Sequence, residues 1–242
     1  MNDENQFQPH EINWTDQKII RLWDYYSQSK SHQYKYFGRQ SGKEVASLLN
    51  KKIFGKIESI IDFSCGKGDL LKACLPYLKK NQEIFAADIS KNSIEETLAK
   101  INSYSGFSGV YVIEKFPTSL TPDRFDLVIL TEVIEHLNDN HLHIILDEIQ
   151  RITKPEGFVF ITTPYEEDLQ VEKTICPDCG CIFHRWQHLR SWSIESLIAV
   201  TNNHGFKVIE CKNIQWGPLL LKIYFKIIGK MGNGIYYIGQ KK

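Results

Sequence analysis

Short apolar, β-branched runs alternate with amphipathic stretches along most of this chain, and each run ends on a polar or glycine-bearing turn. Residues 57–63 carry Ile57, Ile60, Ile61 and Phe63, the pattern of a strand buried on both faces. The turn Ser64-Cys65-Gly66-Lys67-Gly68 follows, and Asp69-Leu70-Leu71 opens a helix predicted to reach residue 78. Further strands are predicted over residues 83–88, 109–113, 125–130 and 158–163, with helices over 94–101 and 142–152 between them. After residue 191 come a helix over 193–203, a strand over 206–211 and a last strand over 235–238. This alternation predicts an α/β fold with a doubly wound, mostly parallel, seven-stranded sheet. In such sheets ligands sit outside the carboxyl ends of the strands, where Ser64, Asp88, Glu114, Glu132 and Thr163 fall.

Two segments depart from the alternation. Residues 1–13 are polar and read as an unstructured lead. Trp14, Ile19, Ile20, Leu22, Trp23 and Tyr26 then recur at helical spacing behind a Thr15-Asp16 cap. Tyr34, Tyr36 and Phe37 extend an aromatic stretch, and Val45, Leu48 and Leu49 fit a second helix. Residues 1–50 therefore read as a helical, aromatic cap on a domain spanning 51–242, with an insertion at 165–191. The aromatics either pack on the core or form a lid that keeps water from charge-sensitive chemistry.

Composition narrows the function classes. At 242 residues with 42% apolar content, the chain suits one globular domain with an appendage. Its 29 basic and 29 acidic side chains leave no overall field to attract a large nucleic acid, although a short RNA end stays open. The tail differs, since residues 207–242 hold Glu210 against seven lysines. Six cysteines without an apolar leader point to a cytoplasmic protein with reduced or metal-bound thiols.

Glycines at the turn let backbone N–H groups approach a ligand, and Asp88 lies about 20 residues on, where such folds place a carboxylate on ribose hydroxyls. A dinucleotide fingerprint needs a third glycine, but Leu71 stands there. Asp62 to Gly68, Asp88, Phe125-Asp-Leu-Val, Glu132-Val-Ile-Glu-His136 and the Lys-Pro-x-Gly ending at Gly157 together resemble class I S-adenosylmethionine-dependent methyltransferases. The nearest group by these motifs is the ubiquinone-biosynthesis O-methyltransferase-like one. The resemblance implies that Asp62, Ser64, Gly66 and Gly68 line the cofactor's methionine moiety and that Asp88 holds its ribose. It also implies Glu114 at the adenine edge, with Thr131 and Glu132 beside the sulfonium. Ser64 and Glu156 stand where the family usually has glycine.

Two clusters could serve the acceptor. Glu132, Glu135 and His136 would share one helical face; similar motifs hold a divalent metal in some relatives, while in others the histidine is a base or purely structural. Cys176-x-x-Cys179 resembles a zinc knuckle, for which His184 and His188 would complete a tetrahedral site, with Cys181 as substitute. His184, Trp186, Gln187, His188 and Arg190 are expected to face the acceptor, and His136, Glu135 and His188 are the catalytic candidates. The expected reaction is methyl transfer to a hydroxyl or amine of a small-molecule, glycan or lipid-linked acceptor. Alternatives are an RNA 2′-O-methyltransferase using a Glu-x-x-Glu-His metal site, or a non-catalytic zinc-dependent module on the same scaffold. Lys222, Lys226 and Lys230 recur every four residues in the apolar stretch 218–231. That stretch reads either as a helix packed on the sheet with its lysines outward or as a peripheral membrane contact.

Overall fold

The computed structural model describes residues 7–228 and 231–242. Its large sheet holds β1 Ser59–Phe63, β2 Glu83–Asp88, β3 Phe107–Val112, β4 Phe125–Thr131, β5 Thr153–Pro164, β6 Phe206–Ile214 and β7 Gly234–Lys241. They lie in the order β3-β2-β1-β4-β5-β7-β6. The first five are parallel, and β7 runs antiparallel to both of its neighbours. The strand order reverses direction between β1 and β4, which opens a crevice at their carboxyl ends.

The helices are α1 Asp16–Gln28, α2 Lys30–Gln33, α3 Phe37–Lys52, α4 Asp69–Cys74, α5 Lys91–Ile101, α6 Asp139–Ile152, α7 Ile194–Asn203 and α8 Leu219–Ile227. Every residue of β1 is buried, because helices cover both faces of the sheet. On one face Val45, Leu49, Leu71 and Ile94 cluster with Ile60, Ile84 and Leu127. On the other, Ile145, Ile149 and Leu197 cluster with Ile61, Val128 and Tyr237. Each such side chain contributes about 1.5–3 kcal/mol by leaving water.

The α3 helix crosses residue 50 and seats closely on α4, since a Cβ at Gly38 would lie only 3.2 Å from the Leu70 nitrogen. The cap is thereby fixed beside the glycine turn.

The amino-terminal lead is not free chain throughout. His10–Glu11 pairs with Cys181 and Ile182, making a small sheet with the strands Cys181–His184 and Lys173–Ile175. Thr15 caps α1 as the sequence suggested, its hydroxyl accepting from the Lys18 N–H. The α1 aromatics pack on the insertion. Trp23 Nε1 donates to Gln187 Oε1 at 2.9 Å, and the Tyr26 hydroxyl donates to the Arg185 carbonyl at 2.6 Å. The cap and the insertion thus form one layer above the carboxyl edge.

Candidate functional site

The glycine turn begins where β1 runs out of apolar residues. Ser64, Gly66 and Gly68 all have left-handed backbone, with φ of 68°, 51° and 72°. A serine there costs about 1–2 kcal/mol. The Ser64 and Cys65 N–H groups both donate to the Ala87 carbonyl, at 2.7 and 3.0 Å, and hold the strained residue against β2. Gly68 is required on two counts, since a Cβ there would also lie 2.8 Å from the Thr97 side chain. At Gly66 an added Cβ would meet nothing within 4 Å, so the turn opens on free space.

Two acids frame that space. Asp88 accepts from the Gly66 N–H and the Ser90 N–H, each at 2.8 Å, which orients its carboxylate. Burial pushes Asp88 up to about 6. Asp62 is buried with Oδ1 unpartnered, and burial together with the Asp88 charge pushes it up to about 8. An orphaned acceptor beside an open turn fits a cofactor that brings its own donors. Glu114 is exposed two residues beyond β3. Tyr36, which the sequence offered only as one aromatic among several, is pushed up to about 12 by burial and by the Asp88 charge. Its phenol therefore feels the charge of the Asp88 carboxylate.

A second polar cluster is built on β4 and β5. Thr131 ends β4, and Glu132 follows with φ 52°. The Glu132 N–H donates to the Thr162 carbonyl at 3.0 Å, and its carboxylate accepts from the Thr162 hydroxyl at 2.8 Å. Residues Ile134–His136 form a 3-10 turn, not the α-helical face expected from the spacing. Glu135 is 1% exposed. Its Oε2 accepts from the Thr163 hydroxyl at 3.1 Å, while Oε1 has no hydrogen bond and lies 3.7 Å from His136 Nε2. Burial pushes Glu132 up to about 7, and burial with the Glu132 charge pushes Glu135 well above the carboxylate range. His136 is driven down to about 3 by burial and by His188, so it is neutral at physiological pH.

The insertion completes this cluster. The His188 ring lies 4.9 Å from His136 and stacks on His184 at 4.7 Å. Glu135, His136 and His188 each present a ligand atom within 4.8 Å of the others, and Glu167, His184 and His188 do the same. Glu167 went unrecognised in the sequence because it lies in an acidic loop between Glu166 and Asp168 with no spacing to mark it.

The set Cys176, Cys179, His184 and His188 is not brought together. Among the described residues, no group of three metal-ligating side chains includes a cysteine. Lys173 pairs with His184 at the base of a hairpin whose tip carries Cys176 and Cys179. The strand from Cys181 to His184 spans about 10 Å. At the tip, the Cys179 and Asp178 N–H groups hold the Cys176 thiol below its usual range.

Two other expected acceptor contacts are already committed to protein partners. Arg190 donates to the Leu137 carbonyl and pairs with Asp139, while buried Gln187 bridges the His136 carbonyl and Trp23.

Comparison with known proteins agrees with this geometry. The chain matches the Methyltransferase domain family over residues 21–211. It is 28% identical over 178 residues to the N-terminal Xaa-Pro-Lys N-methyltransferase 1 of Xenopus tropicalis, covering 69% of this chain and 75% of that protein. A ubiquinone biosynthesis O-methyltransferase of Chelativorans sp. (strain BNC1) is 28% identical over 108 residues, covering 43% of this chain and 39% of the other. The solved 1,6-didemethyltoxoflavin-N1-methyltransferase of Burkholderia thailandensis superposes with TM-score 0.68 at 13% identity, over 100% of this chain and 98% of that one. With its strand order, open glycine turn and paired acids, this chain belongs to the Methyltransferase domain family, as a class I enzyme that uses S-adenosylmethionine.

Proposed function

We propose that this enzyme methylates a hydroxyl group, with His188 taking the acceptor's proton beside neutral His136. One observation carries the reading: Glu135, His136 and His188 meet within 4.8 Å, with Trp23 edge-on to the His136 ring. An amine that has become neutral attacks the sulfonium without a base, whereas a hydroxyl must lose its proton as the new bond forms. A preorganised pair of imidazoles, with His136 held neutral, suits the second task. S-adenosylmethionine supplies an activated methyl group when bound. The chain's own part is to hold it with the 64–68 turn, Asp62 and Asp88, to align the acceptor, and to exclude water with Trp23, Tyr26 and Trp186. The test is mass spectrometry of extracts incubated with enzyme and labelled cofactor. An alkali-stable ether product supports the reading, and a methylated amine overturns it.

The unpartnered Glu135 Oε1 favours a second reading, in which a divalent cation assists. Glu135, His136 and His188 supply the carboxylate and imidazole donors such an ion takes, and its charge would offset the buried acid. The cation would lower the acceptor hydroxyl's pKa. Chelator treatment that removes activity, restored by added magnesium or zinc, distinguishes it from the metal-free reading.

The arrangement of α8 supports an acceptor met at a membrane surface. Leu220 and Ile227 are 81% and 77% exposed, and Ile223, Tyr224 and Ile228 join them on one apolar stripe. Lys222 instead turns back to pair with Glu44. The Lys226 side chain and Lys230 lie outside the described residues. No helix among the described residues is long and apolar enough to cross a membrane. Binding to anionic but not neutral phosphatidylcholine vesicles in flotation supports an interfacial helix, and binding to neither rejects it.

A further inference from the structure

We infer that Glu167 and His184 are positioning residues that fix the tautomer of His188 and leave its Nε2 as the one nitrogen with a free lone pair. The inference rests on the reading of His188 as the acceptor's neighbour only for its catalytic consequence.

The hydrogen-bond partners dictate where each ring proton sits. His188 Nδ1 pairs with Glu167 Oε2. An ionised carboxylate only accepts, so Nδ1 carries the proton and the lone pair of a neutral ring is on Nε2. His184 Nδ1 accepts two backbone N–H groups, from His188 at 3.1 Å and Trp186 at 3.3 Å. Backbone N–H groups only donate, so His184 carries its own proton on Nε2. That N–H is buried without a hydrogen bond, and the nearest carboxylate oxygen is Glu167 Oε1, at 3.7 Å. Glu167 therefore lies between two ring N–H groups, one for each oxygen.

The turn that presents His188 is equally constrained. Gln187 has left-handed backbone, φ 60°, and is fully buried with both ends of its amide engaged. The Gln187 N–H donates to the His184 carbonyl at 2.8 Å. His184 thus holds the backbone of the turn with Nδ1 and turns its opposite N–H toward Glu167, 3.7 Å away. The same proton placement argues against a chelate of Glu167, His184 and His188, although their ligand atoms approach one another. A metal on His184 Nε2 would displace the proton that the two backbone donors force onto it. The arrangement serves either version of the proposed chemistry, because a carboxylate behind an imidazole orients the ring for a proton or for a cation alike.

The test is long-range ¹H–¹⁵N correlation spectroscopy on ligand-free enzyme with labelled histidines. The expected wild-type spectrum shows His188 protonated at Nδ1 and His184 at Nε2. Glu167→Ala should convert His188 to a mixture of tautomers and lower kcat by about 10–100-fold, with the KM for S-adenosylmethionine unchanged. His184→Asn keeps an acceptor for the two backbone N–H groups and removes the Nε2 proton. It should preserve the fold and lower kcat less than Glu167→Ala. Combining the two changes should cost little more than Glu167→Ala alone. A wild-type His188 protonated at Nε2, or an Nδ1–H tautomer that survives Glu167→Ala, would overturn the inference. If Glu167→Ala does not fold, the wild-type spectrum decides by itself. Should the tautomer depend on Glu167 while His188→Ala leaves turnover intact, the positioning stands and the proposed role of His188 in proton removal fails.

Discussion

Ser64 and Glu156 stand where the family usually has glycine, and both adopt left-handed backbone, with φ of 68° and 61°. The sequence exposed the departure, and the backbone kept the conformation at a cost in strain. Glu156→Gly should therefore stabilise the protein by about 0.5–1 kcal/mol in urea unfolding, the relief of strain being partly offset by a looser unfolded chain. Ser64→Gly should do the same without weakening cofactor binding. Gly68→Ala acts oppositely, because strain adds to the clash with Thr97. It should destabilise by about 1–3 kcal/mol and abolish S-adenosylmethionine binding in calorimetry. Asp62, Asp88 and the glycines were legible in the sequence because a strand, a turn and a second strand fix them locally. Glu167 was not, since nothing local links it to a histidine 21 positions later that only the folded insertion brings within reach.

Strands are legible from their continuous apolar runs, whereas side-chain clusters depend on the local backbone, which spacing alone does not dictate. Glu135 and His136 do meet, but with His188 and not with Glu132, through a 3-10 turn and a left-handed Glu132 where an α-helical face was expected. The cysteines and histidines of the insertion looked like one ligand set in sequence, and the hairpin separates its tip from its base. The α1 aromatics were open to two readings. They dock on the insertion through the Trp23–Gln187 and Tyr26–Arg185 hydrogen bonds, contacts between segments more than 150 residues apart that no periodicity reveals. Trp23 also lies edge-on to His136, with ring centres 4.9 Å apart. Trp23→Ala should raise the acceptor KM and admit water to His136, while the affinity for S-adenosylmethionine, measured by calorimetry, stays within about twofold.

The protonation of the whole molecule follows from the two clusters. Asp62 at about 8 and Glu135 well above its usual range hold protons in the folded state that the unfolded chain has already released by pH 7. Folding stability of the ligand-free protein should therefore fall as pH rises from 7 to about 8.5, by an amount on the order of a few kcal/mol. Below pH 6.5 the sign changes for His136, depressed to about 3, because the unfolded chain binds a proton there that the folded state refuses. Thermal melts across this range should show the high-pH loss shrinking when cofactor donors satisfy the orphaned Asp62 oxygen.

The cofactor cradle and the histidine cluster occupy the same edge of one sheet, the first proposed to bind the donor and the second to remove the acceptor's proton. His188→Ala separates the two functions. Once mass spectrometry has identified the acceptor, single-turnover transfer at saturating S-adenosylmethionine is the decisive measurement. The prediction is cofactor affinity within about twofold of wild type and a transfer rate lower by about 10²–10⁴-fold. Transfer at the wild-type rate, with metal content also unchanged, would contradict the account.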